Sequence, residues 1–216
     1  MSHTPDLFAA SASGAETLAP GALRLQGFAL GHETALRAAI DTVTAAAPWR
    51  HMETPGGRTM SVAMTNCGPL GWVSDRRGYR YDPRDPLTGE PWPAMPAAVR
   101  ELAATAARDA GFAGFEPDAC LINRYDPGAR LSLHQDKNER DFRAPIVSVS
   151  LGLPAVFLFG GERRADRPRR LPLSHGDVLV WGGPARLRYH GVAALADGMH
   201  PFAGASRINL TLRRAG

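Results

Sequence analysis

The sequence predicts an α+β protein that is built mainly from β-strands. From about residue 118 onward, short apolar or alternating segments follow one another between turn residues, a pattern typical of antiparallel sheets. The chain contains 23 glycines and 18 prolines, and so many turn formers favour a loop-rich β architecture over a helical bundle. These features suit a jelly roll or another antiparallel sandwich, preceded by two helices.

The individual elements can be read along the chain. HETALRAAIDTVTAAAP has apolar residues at helical spacing and predicts a first helix that stops at Pro48. AAVRELAATAARDAG predicts a second helix that follows Pro96 and ends at Gly111. The expected strands are DACLINRY, ARLSLHQD, PIVSVSLGL, AVFLFG, RRLPLSH, DVLVWGG, RLRYHG and SRINLTLRR.

The segment between the helices, residues 50–93, has a different character. It contains the alternating stretch TMSVAMTN and then GWVSDRRGYRYDPRDP, both flanked by turn residues. This pattern predicts a small β-hairpin element with long loops. Loops of this length in a compact domain usually cover or build a site.

Composition limits the class of protein. A chain of 216 residues with 44% hydrophobic and 21% charged residues is expected to form one domain, here residues 21–216, after a loosely ordered tail at residues 1–20. The N-terminal stretch is not expected to be a secretion signal. The most apolar run is broken by serine, proline and glycine, so it is not expected to be a membrane helix. Cys67 and Cys120 are expected to be reduced, buried thiols. A soluble cytoplasmic protein is therefore expected.

The charge balance is basic, with a formal net charge of +4. Of the 25 basic residues 24 are arginines, and Lys137 is the lysine. A GC-rich coding sequence explains this bias at least as well as function does. Arginine is nevertheless suited to phosphates and to stacking on bases, so the balance permits a nucleic-acid partner without proving one.

The spacing His134-x-Asp136, with His190 further along, suggests a metal site. A non-haem iron centre of the two-histidine, one-carboxylate type needs two close ligands and one distant ligand on a single face. In an extended strand, residues two apart emerge on the same side, so Ser132, His134 and Asp136 share a face opposite Leu131 and Leu133. By itself the pair is a weak signal.

The last expected strand also has two different faces. Ile208, Leu210 and Leu212 form an apolar face, and the opposite face is polar, with Arg207, Asn209, Thr211 and Arg213. In DACLINRY, Asn123 and Tyr125 share a face as well. A polar face lies more often at a surface than in a pocket. Its occurrence beside a ligand-like pair favours a pocket in which two guanidinium groups hold a dicarboxylate.

Long motifs carry a resemblance to a known family. NRYDPGARLSLHQDK, APIVSVSLGLPAVFLFGG, HGDVLVWGG, RLRYHG and RINLTLRRAG resemble the AlkB family of iron(II)- and 2-oxoglutarate-dependent nucleic-acid dealkylation dioxygenases. TPGGRTMSVAMTNCG, LGW and PWPAMP are similar to the family's nucleotide-recognition region. The likeness covers roughly residues 20–215. It implies a double-stranded β-helix (jelly-roll) core at about 118–215 with a nucleotide-recognition lid at about 50–93.

The resemblance also implies roles for residues. His134, Asp136 and His190 would hold iron(II) as the catalytic centre. Arg213 and Asn123 would lie near the keto acid end of 2-oxoglutarate. Arg207 would pair with its distal carboxylate, and Tyr125 and Asn209 would help, with Thr211 on the same face.

The implied substrate contacts are mostly in the lid. Trp72 would stack on a flipped base with the His134 ring on the other side, although a core-filling role for Trp72 is also open. Other contacts are implied for Tyr79, Arg80 and Tyr81 with the nucleic-acid backbone and for Arg164 near the lesion. Thr54 and Met64 would line the pocket or merely pack.

The implied reaction is oxidative demethylation of bases such as 1-methyladenine and 3-methylcytosine in single- or double-stranded DNA, and also in RNA. Dioxygen and 2-oxoglutarate would yield succinate, carbon dioxide and a hydroxymethyl base that releases formaldehyde. Action as a monomer, without a membrane, is the simpler expectation. Two alternatives remain: a dioxygenase of the same fold acting on RNA, protein or a small molecule, and a noncatalytic jelly-roll module.

Asn138 departs from the family pattern, which has an acidic residue two places after the metal aspartate. An amide keeps the hydrogen bonding of a carboxylate but loses its charge. The hypothesis is that discrimination in favour of cationic bases is weaker in this chain, with Glu139 compensating in part.

Overall fold

The computed structural model describes residues 14–216, in which two α-helices and fourteen strands are arranged in three layers. The helices are α1 (Glu33–Ala46) and α2 (Ala97–Asp109). The strands are β1 (Ala15–Ala19), β2 (Ala22–Leu25), β3 (Arg50–Glu53), β4 (Thr59–Cys67), β5 (Gly71–Asp75), β6 (Gly78–Asp82), β7 (Ala119–Tyr125), β8 (Leu131–His134), β9 (Ile146–Gly152), β10 (Ala155–Phe159), β11 (Arg169–Leu173), β12 (Val178–Trp181), β13 (His190–Val192) and β14 (Arg207–Arg213).

The strands form two facing sheets and a separate hairpin. The large sheet has the order β1-β2-β12-β9-β14-β7-β4-β3, and the smaller sheet has the order β11-β10-β13-β8. β5 and β6 pair only with each other. The named pairs in all three sheets are antiparallel, which confirms the predicted mainly-β jelly-roll class.

The large sheet buries apolar residues on both faces. On one face, Leu210 and Leu212 of β14 pack into a core shared with Leu36 and Ile40 of α1 and with α2. On the other face, a second core joins the two sheets through residues such as Tyr125, Ile146, Phe157, Leu171 and Trp181. Because β14 and β7 are central, their polar side chains on the second face are enclosed between the sheets rather than exposed.

Two expectations about the N-terminal half are corrected. Ala15–Ala19, expected within a loose tail, is an edge strand that pairs with β2, while residues 1–13 lie outside the described residues. Thr59–Cys67, expected in a small hairpin element, pairs along β7 and belongs to the large sheet. Within residues 50–93, β5 and β6 are therefore the strands that stand apart from that sheet.

The remaining elements agree closely with the sequence. Both helices have the predicted extent to within a few residues, and the eight strands after residue 118 are present. The strand expected over RLRYHG is shorter and begins at His190.

Cys67 and Cys120 are buried and free, and they lie opposite each other in the β4–β7 register. Within residues 14–216, no helix combines the length and apolarity needed to cross a membrane.

Candidate active site

The three predicted metal ligands come together at the smaller sheet. His134 ends β8, Asp136 lies two residues further on, and His190 begins β13 opposite His134. Nε2 of His134 is 3.7 Å from Oδ1 of Asp136, and Nε2 of His190 is 3.6 Å from Oδ2. One ligand atom of each residue lies within 4.8 Å of the others. Across the described part of the chain, no other group of three His, Cys, Asp or Glu side chains has this arrangement.

Backbone contacts orient both imidazole rings. Nδ1 of His134 lies 2.9 Å from the Ser132 carbonyl oxygen, and Nδ1 of His190 lies 3.0 Å from the Arg188 carbonyl oxygen. A carbonyl oxygen can only accept, so Nδ1 of each ring carries a proton, and Nε2 is the nitrogen that faces Asp136 and is left for a metal ion. A hydrogen bond from one ring nitrogen to a backbone carbonyl oxygen is typical of histidines that bind a metal ion through the other nitrogen.

A glycine keeps the two ligand strands close. Gly191 follows His190, and a Cβ built on it would lie 2.6 Å from the Leu131 carbonyl oxygen of β8. Real Cβ atoms do not approach backbone so closely, so a larger residue would push β13 away from β8. Glycine at this position therefore preserves the spacing of His134 and His190.

The charge states of the triad suit a divalent metal. Burial and then the nearby His190 lower the pKa of His134 to about 4, so its ring is neutral at pH 7. Burial alone would raise the pKa of Asp136, but Arg213 and His190 outweigh it and hold that pKa well below its usual range. Two imidazole nitrogens and one carboxylate are the donor set of a facial iron(II) site.

The polar face of β14 forms a second part of the site. Arg207 is 1% exposed; its Nη2 donates to Ser150 Oγ at 3.0 Å, and its guanidinium lies 5.1 Å from the centre of the Tyr125 ring. Its Nε and Nη1 are buried and have no hydrogen-bond acceptor within residues 14–216. Because unpaired buried donors on a cation are costly, they fit an anionic ligand such as a carboxylate.

Asn209 is fully engaged by protein groups. Its Nδ2 donates to Ser148 Oγ at 2.8 Å and to the Val149 carbonyl oxygen at 2.9 Å. Its Oδ1 accepts from Asn123 Nδ2 at 3.3 Å and from Thr211 Oγ1 at 2.9 Å. These contacts use the two donors and two acceptor positions of the amide. Asn209 therefore holds Asn123, whose own Oδ1 is buried without a donor from the described residues.

The hairpin β5–β6 carries an aromatic pair. The rings of Trp72 and Tyr79 are stacked with centroids 5.7 Å apart. The Asn66 amide fixes the Trp72 backbone through two hydrogen bonds of 3.0 Å. Trp72 is half-buried against the core between the sheets, and Tyr79 is exposed. Trp72 thus has both a packing contact and an accessible portion.

Two hairpin residues predicted to contact a nucleic-acid backbone have partners within the protein. Arg80 is paired with Asp75 through hydrogen bonds of 3.0 and 2.9 Å, so its guanidinium is neutralised within the hairpin. The Tyr81 hydroxyl points inward and donates to Glu139 Oε1 at 2.6 Å. Burial raises the pKa of Tyr81 well above its usual range, so this hydroxyl remains a donor.

The other predicted substrate residues fall into two groups. Asn138 and Arg164 are exposed, as a contact to a large ligand requires. Met64 is 2% exposed and packs in the core between the sheets. Thr54 Oγ1 accepts from the Arg58 backbone N–H at 3.1 Å and stabilises the β3–β4 turn. Met64 therefore packs in the core, and Thr54 contributes to a turn.

Ser148, Ser150 and Arg186 also lie around the site and were not predicted from the sequence, and Glu139 was expected only to compensate in part for Asn138. Ser148 and Ser150 lie on the inner face of β9 and contact Asn209 and Arg207. The alternation of serine with valine and leucine in IVSVSLG carries this signal. Glu139 and Arg186 are buried beside Asp136, and neither has a local sequence signal because their partners are distant in the chain.

Comparison with known proteins assigns the family. The model of the 2OG-Fe(II) oxygenase superfamily matches residues 21–213. The alpha-ketoglutarate-dependent dioxygenase AlkB of Salmonella typhimurium is 59% identical over 210 residues, which cover 97% of each chain. The chain belongs to the AlkB family. It is an iron(II)- and 2-oxoglutarate-dependent dioxygenase, and the triad and the buried Arg207 fit those two groups.

Other AlkB-family proteins extend the comparison. The DNA N(6)-methyladenine demethylase ALKBH1C of Arabidopsis thaliana is 35% identical over 186 residues, covering 74% of this chain and 41% of that relative. The solved structure of OsALKBH1 has 26% sequence identity and a TM-score of 0.80, and it covers 93% of this chain and 100% of that one. This likeness confirms the fold predicted for the AlkB family.

Proposed function

We propose that this AlkB-family enzyme removes methyl groups from the ring nitrogens of nucleic-acid bases, with 1-methyladenine and 3-methylcytosine in DNA as the main targets and RNA as a further substrate. The 59% identity to a bacterial AlkB supports the reaction class. The observation that carries the nucleic-acid substrate is the stacked Trp72–Tyr79 pair on a hairpin joined to the loop of the triad. An aromatic platform is what an unstacked base needs.

The proposal gives each part of the site a role. His134, Asp136 and His190 would hold iron(II) through two Nε2 atoms and one carboxylate. Arg207 would pair with the distal carboxylate of 2-oxoglutarate, because its free donors are buried beside Tyr125. Asn123 and Arg213 would lie near the keto acid end, whereas Asn209 and Thr211 would act by fixing Asn123.

The base would bind between Trp72 and the His134 ring. His134 keeps 34% of its side chain exposed, and Trp72 is half-buried, so both rings retain accessible surface. A methylated base that is cationic gains additional attraction to the aromatic face. Because a stacked duplex hides the methyl group, the base must be flipped out or come from a single strand.

The protein residues supply positioning and electrostatics, and the bound metal with its co-substrates supplies oxidation of the methyl group. Arg213 keeps Asp136 ionised and oriented. His134, whose pKa lies near 4, needs no deprotonation at pH 7. Exposed arginines such as Arg164 and Arg76 would add attraction to phosphates that weakens with salt. The enzyme would act as a cytoplasmic monomer, where Cys67 and Cys120 stay reduced.

The test is repair of a single-stranded oligonucleotide that contains one 1-methyladenine, with iron(II), 2-oxoglutarate and air. Mass spectrometry should record the loss of one methylene unit from the wild-type reaction and no loss with His134→Ala. Trp72→Ala should raise the KM for the oligonucleotide by roughly 5- to 150-fold, since one base–aromatic stack contributes about 1–3 kcal/mol. Succinate formation with intact methyl groups would overturn the proposed substrate and point to another one.

A further inference from the structure

The hairpin β5–β6 is attached to the rest of the protein by a small number of polar contacts. Ser74 Oγ donates to the Glu53 carbonyl oxygen, the Asn66 amide holds Trp72, and Trp92 Nε1 donates to the Asp82 carbonyl oxygen. All of these partners lie in the segment from β3 to residue 92. The Tyr81 hydroxyl differs, because it reaches Glu139 in the loop that follows Asp136.

Glu139 is a buried carboxylate between two buried arginines. Its side chain is 1% exposed; Oε2 lies 3.2 Å from Arg186 Nη2, and Oε1 lies 3.4 Å from Arg213 Nε. Arg213 in turn donates from the same Nε to Asp136 Oδ2 at 2.9 Å. Glu139 and Asp136 therefore balance Arg186 and Arg213 in one charged cluster, and Arg213 Nε faces both carboxylates.

Arg186 fixes the backbone of the same loop. Its Nη1 donates to the Asp136 carbonyl oxygen at 2.9 Å, and its Nε donates to the Ala144 carbonyl oxygen at 3.0 Å. The loop from Asp136 to Ala144 is thus held at both ends by a guanidinium whose charge Glu139 neutralises. A displacement of Glu139 would disturb the Asp136 main chain through Arg186 and its side chain through Arg213.

We propose that Glu139 is a positioning residue that couples the β5–β6 hairpin to the Arg213–Asp136 pair. One oxygen of its carboxylate serves both sides, accepting from the Tyr81 hydroxyl and attracting Arg213. The hairpin that carries Trp72 and Tyr79 is thereby fixed relative to the metal carboxylate. Glu139 touches no reacting atom, and it acts through Tyr81 and Arg213.

The physical basis is the cost of an unpaired buried charge. A carboxylate accepts but does not donate, so loss of the Tyr81 hydroxyl leaves one acceptor position of Glu139 empty in a water-poor environment. Loss of the Glu139 charge instead leaves two arginines facing one aspartate, which draws Arg213 and Arg186 toward new positions. The two changes should therefore have different consequences.

Tyr81→Phe tests the hairpin side of the coupling. Amide hydrogen exchange is measured on the full chain, loaded anaerobically with iron(II) and 2-oxoglutarate. Exchange in residues 71–82 should accelerate roughly tenfold, corresponding to about 1.4 kcal/mol, while exchange in β7 and β14 is unchanged. The KM for the methylated oligonucleotide should rise by a similar factor with the KM for 2-oxoglutarate unchanged.

Glu139→Gln tests the metal side. The amide retains an acceptor for Tyr81 but has no charge for Arg213, so binding at the triad should weaken. Titration of the iron-free protein with cobalt(II), followed by its visible absorbance, should give an apparent Kd roughly tenfold higher than wild type. Tyr81→Phe should leave that Kd unchanged, which separates the two sides.

Tyr79→Phe is the matched control for the exchange measurement, because it removes a hydroxyl from an exposed side chain on the same strand. It should not accelerate exchange in residues 71–82. The proposal is overturned if Tyr81→Phe also leaves that exchange unchanged, or if Glu139→Gln leaves the cobalt(II) affinity unchanged. The substrate readout rests on the proposed function, whereas exchange and cobalt(II) binding are interpretable even if no methylated oligonucleotide is repaired.

Discussion

Arg213 donates two hydrogen bonds to a single oxygen of Asp136, from Nε at 2.9 Å and from Nη2 at 2.7 Å. The same oxygen lies 3.6 Å from His190 Nε2, while the other carboxylate oxygen faces His134. Arg213 therefore fixes the carboxylate plane relative to both imidazoles. Since the two side chains are nearly buried, removal of either one would leave the other as an unpaired buried charge.

Arg213→Met should destabilise the metal-free protein by about 3–5 kcal/mol, because it leaves the buried Asp136 carboxylate without its main partner. Urea unfolding at pH 7.5, followed by tryptophan fluorescence, measures this change. Arg214→Met is a matched control at the adjacent exposed position and should change the free energy of unfolding by less than about 0.5 kcal/mol. Equal effects of the two variants would contradict this account of Arg213.

Arg207→Lys should raise the KM for 2-oxoglutarate by about tenfold or more. A lysine keeps the positive charge but cannot reproduce the planar pair of donors that Arg207 directs away from Ser150. Succinate formation at varied 2-oxoglutarate concentrations measures the effect. Arg170→Lys, at an exposed position of β11, is the control and should leave this KM unaltered. An unchanged KM in Arg207→Lys would show that Arg207 does not bind 2-oxoglutarate.

Asn138→Asp should increase the preference for cationic over neutral methylated bases. Asn138 is exposed, so a new charge there is screened by solvent and contributes at most about 1 kcal/mol, or roughly fivefold in the ratio of kcat/KM values. The two substrates are oligonucleotides carrying 1-methyladenine and 3-methylthymine. The effect should shrink at high salt. A ratio that does not move would refute the hypothesis that Asn138 weakens charge discrimination.

Protonation of His175 should destabilise the fold. His175 Nδ1 accepts from the Gly152 backbone N–H, and the ring faces Glu33, Arg37 and His200. Burial and then His200 lower its pKa below the ordinary value. Because the folded-state pKa lies below the unfolded one, the unfolded chain binds more protons, and this contribution is complete above about pH 6.5 and lost below it.

The measurement compares urea unfolding at pH 7.5 and pH 5.5. The wild-type free energy of unfolding should fall on acidification by more than that of His175→Asn, whose side chain offers an acceptor that does not titrate. The same fall in both proteins would show that the pKa of His175 does not differ between the folded and unfolded chains, which contradicts the lowered folded-state pKa.

The parts of the site that follow from strand alternation could be predicted from the sequence. The polar face of residues 207–213 and the grouping of His134 with Asp136 follow from a period of two, and the structure shows both. That face is buried because β14 is central in the large sheet. Local sequence does not determine sheet order, so a surface strand and a pocket strand could not be separated by alternation alone.

Contacts between distant segments could not be predicted. Tyr81 and Glu139 are 58 residues apart, and Arg24 and Asp177, which join β2 to the start of β12, are 153 apart. Asp177 is buried at the turn that precedes β12, where it also accepts from the Ser174 N–H. The edge strand Ala15–Ala19 was missed because its stability comes from pairing with β2 rather than from its own pattern.

Coupling of 2-oxoglutarate turnover to demethylation of a nucleic-acid base at the His134, Asp136 and His190 site can be measured as the ratio of formaldehyde to succinate. The substrates are an oligonucleotide carrying 3-methylcytosine and the same oligonucleotide without the methyl group. We expect nearly equal amounts of the two products with the methylated strand, little of either with the unmethylated strand, and neither product with His134→Ala. Succinate that forms equally with both strands, without formaldehyde, would contradict this coupling.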